Sequence, residues 1–412
     1  MIRSAGAVEL RPGSPDVPVS MSDRLHVEIR QDMNLDPIDV AELNEMIAER
    51  PYVGVFLTPA WLAGFFAESP DGVTLSVLLF RQGPRLRGLV PIAVRPTLTH
   101  VCVSLIGGGS GSDRVDLLAA RGFEALAADT FLEWLADRFG ASGFLLELRD
   151  VPATSSIWGA IQRSGLEHTV PLALQPKEIY TLPYLTLSAA EPASIAESPS
   201  ASALRSLTKH RRWLEHRCHL RIEPVSCVDD ALAAFEALAG FLRARWRGAT
   251  SSALDDQLVA RRHRRVIPLL LADNRLRMIR VQGDERTIAV FYGVSSGRWW
   301  GYYLAGFDRE WAGRIRLGQI VLSTAVDMAV AEGAAEFDFL KGAERVKYVW
   351  PVRERATLDA DVFSETSGAQ LTRAKRATRD AAAALSKSAR RLFNSEGLRP
   401  SDSRPRSLAG AR

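Results

Sequence analysis

Two stretches far apart in the chain read as the same unit, and that repetition limits the folds open to it. LSVLLFRQGPRLRGLVPIAVR spans residues 75–95 and LRMIRVQGDERTIAVFYGV spans 276–294. Each is an apolar strand, a Gln-Gly pair (Gln82-Gly83, Gln282-Gly283), a few polar residues and a second apolar strand, the signature of a hairpin. A third strand follows in both, VCVSLIGG after the first and WWGYYLAGF after the second. Helical spacing comes next. Leu126, Phe131, Leu132 and Leu135 mark a helix from Phe123 to Phe139 that stops at Gly140, expected to be a left-handed C′ glycine. Val321, Ala325 and Met328 mark another from Gly318 to Glu332, stopping at Gly333. An apolar strand begins soon after each glycine, with Phe144 and Phe337 each four residues beyond. The pattern predicts an α/β (α+β) chain built from two tandem strand–strand–strand–helix–strand units. Chance similarity between α/β patterns is the alternative.

A length of 412 residues suits about two domains. Between the copies lies SAAEPASIAESPSAS (188–202), small, polar and Pro-containing, which reads as a linker or exposed loop. The expected division is a disordered leader over 1–24 (Met21 is a candidate alternative start), domains over 25–187 and 203–366, and a tail over 367–412. Eleven basic residues against three acids beyond Ser367 give that tail a charge of +8. The whole chain carries +4, so the body is mildly acidic at −4. Such a helical or disordered tail is either solvated or touches an anionic partner, through weak contact with a membrane surface or with nucleic acid. The basic run Lys209, Arg211, Arg212 and Arg217 reads as a solvated helix face or, in a two-domain transferase, as one wall of a cleft. No window has the ~18 consecutive apolar residues of a membrane span, and the N-terminus lacks a signal-peptide core, so a cytoplasmic protein is expected. Cys218 between His216 and His219 fits no usual zinc spacing, and no metal is expected.

The chemically richest segment runs from Arg298 to Trp350. The loop AGRIRLGQI holds Gly313, Arg314, Arg316, Gly318 and Gln319 at a helix start, where free N–H groups and the helix dipole favour an anion. Gly318 would let a phosphate approach the backbone and Arg316 would neutralise its charge; an ordinary loop with solvated arginines is the alternative. The strand Tyr302–Phe307, with Tyr303, Leu304 and Ala305, offers an edge to which an amide-rich arm can add as a peptide does, though its aromatics serve equally as core. Asp338, between Phe337 and Phe339, points away from both. If that face is a cleft, Asp338 is a general base or an orienter; if it meets solvent, a surface acid. Lys347 and Trp350, with Lys341 of the Lys-Gly pair before them, suit an anionic or sugar acceptor, or are surface lysines and a core tryptophan.

The series YYLAGFD (302–308), Gly318 before a helix, FDFLKG (337–342), and Lys347 followed by YVW resembles a bacterial subfamily of the GNAT acyltransferases. It is the group around the cellulose-biosynthesis protein CelD, related to the FemAB-type peptidoglycan transferases. TPAWL (58–62), SDRVDLL (112–118), ALRSLTKHRRWLE (203–215) and RARWRG (243–248) are further echoes, so the resemblance covers roughly residues 55–365. It implies two tandem GNAT-like domains, each a mixed, mainly antiparallel sheet flanked by helices, with the better-kept cofactor site in the second. The implied activity is transfer of an acyl group from acyl-CoA, acetyl-CoA foremost, to an amine or hydroxyl of a cell-envelope or exopolysaccharide-related acceptor that is glycan- or lipid-linked. Tyr303, Leu304, Ala305, Arg314, Arg316, Gly318 and Gln319 would then hold the donor, Asp338 and Lys347 would act in catalysis, and Lys341 and Trp350 would bind the acceptor. The chain departs from the family pattern at Ile315, Leu317 and Ile320 of the phosphate loop, and Lys347 precedes Tyr348 instead of following it. Two other readings compete: an aminoacyl-tRNA-dependent transferase like the FemAB relatives, against which the second half lacks a long charged helical-hairpin insertion, and a non-catalytic GNAT-fold protein of polysaccharide assembly. DNA is not an expected partner, and tRNA is the lesser expectation.

Overall fold

A computed structural model of the chain describes residues 24–109, 111–164, 172–187, 201–246, 254, 256–312, 315–342, 344–364 and, of 368–376, all but 371 and 375. Arg314, nearly all of the leader, the linker as far as Ser200 and most of the tail lie outside these residues.

Both repeated stretches form hairpins, but with different turns. The first half runs β1 (His26–Arg30), helices Pro37–Glu49 and Pro59–Ala67, β2 (Thr74–Gln82), β3 (Arg85–Pro96), β4 (Val101–Leu105), β5 (Leu118–Ala119), helix Glu124–Phe139, β6 (Phe144–Pro152), helix Ser156–Ser164 and β7 (Leu172–Thr186). The second runs helix Ala201–Arg217, β8 (Leu220–Pro224), helices Val228–Trp246 and Gln257–Ala272, β9 (Leu276–Gly283), β10 (Arg286–Ser296), β11 (Trp299–Phe307), helix Leu317–Ala331, β12 (Glu336–Asp338) and β13 (Arg353–Ser364). In the β2–β3 turn Gly83 takes φ 59° ahead of Pro84, which cannot adopt a positive φ. In the β9–β10 turn Gly283 is still paired with Arg286, and Asp284 and Glu285 take the left-handed positions at φ 51° and 66°. Gly333 ends its helix at φ 74° as expected, whereas Gly140 is right-handed at φ −56° and the reversal falls on Gly143 at φ 72°.

All the strands join one mixed sheet in the order β1-β2-β3-β4-β6-β13-β7-β12-β11-β10-β9-β8, with β5 paired to β3 off that path. Only β4–β6 and β11–β12 are parallel pairs among the described residues. The two halves exchange their last strands. β13 of the second half lies between β6 and β7 of the first, and β7 meets β12 of the second. The β7–β13 register runs from Leu172↔Ser364 to Tyr184↔Arg353.

Burial follows the same plan. Phe131 and Leu135 of the first half's helix pack on Phe80, Val90 and Phe144, and Ile320, Val321 and Ala325 of the second half's helix pack on Phe291, Trp300 and Phe337. A further core belongs to both halves, with Phe56, Trp61 and Phe65 against Phe235, Ile267, Tyr292 and Trp299. The start of the basic tail is part of this body: Ala369 is buried, and Arg376 pairs with Glu147 at 2.9 Å and Asp361 at 2.7 Å. Among the described residues no helix is long and apolar enough to cross a membrane.

Candidate active site

β11 and β12 pair over only three positions, Trp299↔Glu336, Trp300↔Phe337 and Gly301↔Asp338, and then part. After Asp338 the chain bends away through Leu340 at φ 54° and Gly342 at φ 112°, and the Phe339 amide donates to Pro183 O on β7. β11 continues to Phe307 on the arm of β10. From Tyr302 onward no strand pairs with its other edge among the described residues, and Tyr302, Tyr303, Leu304 and Ala305 are all half-buried there. The register against β10 slips at this point, with Gly293↔Tyr302 followed by Tyr292↔Leu304. Tyr303 is thus the extra residue of a β-bulge, a device that re-aims a side chain.

Its hydroxyl donates to Gly111 O of the first half at 2.7 Å and lies 3.3 Å from His263 Nε2. His263 Nδ1 is in turn 3.3 Å from Tyr292 Oη. Burial pushes the His263 imidazole down to about 3, so the ring is neutral at physiological pH. Burial, with the charge of Asp113, holds the Tyr303 phenol well above its usual range, so it keeps its proton.

The Leu317–Ala331 helix starts where β11 ends. A Cβ on Gly318 would stand 3.0 Å from Phe307 Cε1, so the glycine lets the helix start close against the strand end. The helix has no side-chain cap and no acid in its first turn, exposed Arg316 stands at its N-cap position, and Gln319 Oε1 is buried without a hydrogen-bond partner among the described residues. That end therefore carries the partial positive charge of the dipole with no carboxylate of its own. Lys209, Arg211, Arg212 and Arg217 are exposed on the neighbouring Ala201–Arg217 helix.

Asp338 meets neither a cleft nor solvent. It is fully buried, pairs with Arg114 of the first half, accepts the Leu340 amide at 2.8 Å, and lies 3.7 Å from Arg355, which pairs with Glu336 at 2.7 Å. Tyr52 covers both guanidiniums, at 5.5 Å from Arg114 and 5.1 Å from Arg355. A carboxylate so buried and so paired is out of an acceptor's reach; its geometry is that of an anchor between the halves. Lys347 is 3% exposed and spends its ammonium on Lys341 O (2.8 Å), Gly342 O (3.1 Å) and Glu344 (2.8 Å), which ties down the turn after β12. Lys341 pairs with Asp150 at 2.6 Å and lies 3.5 Å over the Tyr180 ring. Trp350 is core, 5.6 Å from Phe339.

An acid whose charge reaches the bulged Tyr303 is Asp113. Its Oδ2 accepts the Lys341 amide at 3.3 Å, and no cation pairs with it directly among the described residues. Burial, with Asp150 adding repulsion, pushes its carboxyl up to about 6. Its neighbours are fixed on both sides: Ser112 Oγ accepts from Trp61 Nε1 at 2.9 Å, and Arg114 is held by Asp338. Gly107, Gly109 and Gly111, at φ 91°, 71° and 117°, shape the loop that carries it. Two acids three apart on a glycine-rich loop were visible in GGGSGSDRVD; that the loop crosses to the other half was not.

Residues 201–348 match the Acetyltransferase (GNAT) domain family, a span that holds the bulged β11, the Leu317 helix and β12. Among solved structures, FemX matches with a TM-score of 0.54 at 10% identity over 81% of this chain and 96% of that one. A conserved protein of unknown function from Bacteroides thetaiotaomicron gives 0.49 at 9% identity, over 82% and 99%. A tandem GNAT protein from the clavulanic acid biosynthesis pathway gives 0.44 at 10% identity, over 82% and 98%. At such identity the likeness to FemX is one of fold. No curated protein matches the chain.

Proposed function

With an acetyltransferase (GNAT) domain over residues 201–348, we propose that this protein transfers an acyl group from acyl-CoA, acetyl-CoA foremost, to an amine or hydroxyl brought into the cleft between its halves. The observation that carries the reading is the unpaired edge of β11 from Tyr302, bulged at Tyr303 and ending at the uncapped Leu317 helix. An amide-rich pantetheine arm would add to that edge as a peptide strand does, and the pyrophosphate would lie at the helix start near Gly318, Gln319 and Arg316. Asp113, ionised above pH about 6, would take the acceptor's proton as its nitrogen or oxygen attacks the thioester carbonyl. The tetrahedral intermediate then collapses with cleavage of the C–S bond. Tyr303, exchanging the Gly111 carbonyl for the leaving sulfur, would pass its proton to the thiolate and regain one from protonated Asp113, which returns both groups to their starting states. Asp338, Arg114, Lys341 and Lys347 would position this machinery. Two units over 25–187 and 203–366 and an acceptor from envelope or exopolysaccharide metabolism complete the reading; the acceptor rests on the CelD-like motifs alone.

Calorimetry with acetyl-CoA tests the donor site. Gly318→Asp places a carboxylate beside Phe307 at the helix start and should weaken binding by at least ~100-fold, about 2.7 kcal/mol, in a variant that still unfolds cooperatively. Equal affinity in the two proteins would refute the donor site. The FemX-like fold favours a second reading, transfer from aminoacyl-tRNA, which predicts salt-sensitive retention of charged tRNA on filters and no thiol release from acetyl-CoA.

A further inference from the structure

A second cavity lies away from the bulged strand edge, where the first half's Pro37–Glu49 helix faces the start of β11. Its volume is about 550 Å³, within the range of small-molecule sites. Asn44 and Tyr52 line it from the first half, and Arg275, Ser296, Arg298 and Trp299 from the second. Three of its features concern ligand chemistry. Arg275 reaches Ser296 Oγ at 3.1 Å and Asn44 Oδ1 at 3.4 Å, both neutral partners. Arg298 uses its Nε on the Gly333 carbonyl at 3.0 Å, again neutral. Trp299 is 2% exposed, and its Nε1 has no hydrogen-bond partner among the described residues. A buried indole N–H left unpaired costs about 1–3 kcal/mol. The carboxylate in the wall, Glu336, is already paired with Arg355 at 2.7 Å. The lining is therefore rich in donors and positive, with the Tyr52 ring as an apolar side.

We propose that this cavity is a second ligand site, distinct from the donor cleft, for a small molecule carrying a phosphate or carboxylate group, with Arg275 and Arg298 binding the anion and Trp299 Nε1 donating to it. Two guanidiniums whose hydrogen bonds go to neutral groups outnumber the one carboxylate of the wall, Glu336. With Asp273 as the acid near Arg275 the balance still favours an oxyanion over a cation, while the Tyr52 ring favours a compact planar body beside the anion.

Phenyl phosphate and benzoate serve as probes, with inorganic phosphate as the bare anion and benzyltrimethylammonium as the opposite charge. Titrated into the full chain in saturating acetyl-CoA, so that the donor cleft is filled, phenyl phosphate or benzoate should give a saturable rise in Tm and the cation none. In Arg275→Ala/Arg298→Ala the apparent Kd should weaken at least ~10-fold while the acetyl-CoA response stays unchanged. Trp299→Phe, which deletes the N–H and keeps most of the ring, should weaken it a further few-fold without exposing the core; it stands in if the arginine pair fails to fold. Gly318→Asp, with or without acetyl-CoA, should leave probe binding intact. The assignment is overturned if no anion binds saturably, if binding survives both the arginine and the tryptophan changes, or if Gly318→Asp abolishes it, which would place the probe at the helix start. Stronger binding of phosphate than of benzoate would identify a phosphate ligand, and the reverse a carboxylate, each within the proposal.

Discussion

The two halves share a plan and use it oppositely. In each, a parallel pair holds the matching phenylalanine at or next to its first position, Phe144 on β6 opposite Val101 of β4 and Phe337 on β12 opposite Trp300 of β11. In the second half no described strand pairs with β11 beyond that pair, and β11 bulges there. The first half closes its own gap: the Val115 amide reaches Asp150 O on β6 at 3.4 Å, and β5 takes over β4's lane along β3. The helix starts differ in the same sense. Glu124 opens the first half's helix and accepts the Gly122 amide at 2.8 Å, which supplies a built-in anion, whereas the Leu317 helix has none. The loop that seals the first opening is also the one that carries Asp113, Gly111 and Arg114 to the second. One copy of the fold thus reads as the donor cleft and the other as its supplier of side chains.

The sharpest way to break that contrast is Asp113→Asn. If the first half supplies the base, acyl transfer should fall about 10²–10⁴-fold with acetyl-CoA affinity unchanged. The wild-type kcat/KM should rise with pH to a plateau above about 6, since the ionised form is the active one. The stability effect has the opposite sign. A carboxyl at about 6 when folded and near 3.8 when unfolded favours the folded state only while protonated, so its contribution is lost as pH rises between those values. Asp113→Asn should therefore gain stability relative to wild type above pH about 6 and not at low pH, as read by urea titration at several pH values. A slow variant that is also destabilised at pH 8 would mark Asp113 as structural.

Asp338→Asn should do the reverse and cost about 3–5 kcal/mol of unfolding free energy, because Arg114 would keep a buried charge without its carboxylate. A variant of native stability with lost activity would return Asp338 to the role of base. The smallest effect belongs to Glu124→Gln. Neutralising the first turn of the first half's helix should change stability by no more than about 1 kcal/mol and leave acetyl-CoA binding untouched; a new CoA site there would show that the halves differ by that single charge.

Much of this was legible in the sequence, and the limits have a physical pattern. Hairpins, helices and the order of elements are local consequences of apolar spacing, so both copies could be read directly, as could the edge at Tyr303, Leu304 and Ala305. Turn detail was less so: the same Gln-Gly pair ends in different turns because Pro84 follows one and Asp284-Glu285 the other. Alternation placed Asp338 correctly away from its phenylalanines, yet what it meets there, Arg114, comes from 224 positions away. Asp113 stood inside a quoted motif without a role for the same reason. Strand exchange was invisible, since nothing local in Leu172–Thr186 or Arg353–Ser364 says which half's sheet each will enter.

That exchange has a consequence for how the molecule is made. β6 needs β13 as its neighbour, and β13 is the last of the described strands to leave the ribosome. Until then the first half presents an unfilled lane beside β6, and its sheet cannot close however early its own residues were synthesised. Its completion is a long-range event, the kind of contact that slows folding and leaves a strand edge open to wrong partners. A stop codon ahead of Arg353 would therefore injure the half that had already been translated in full.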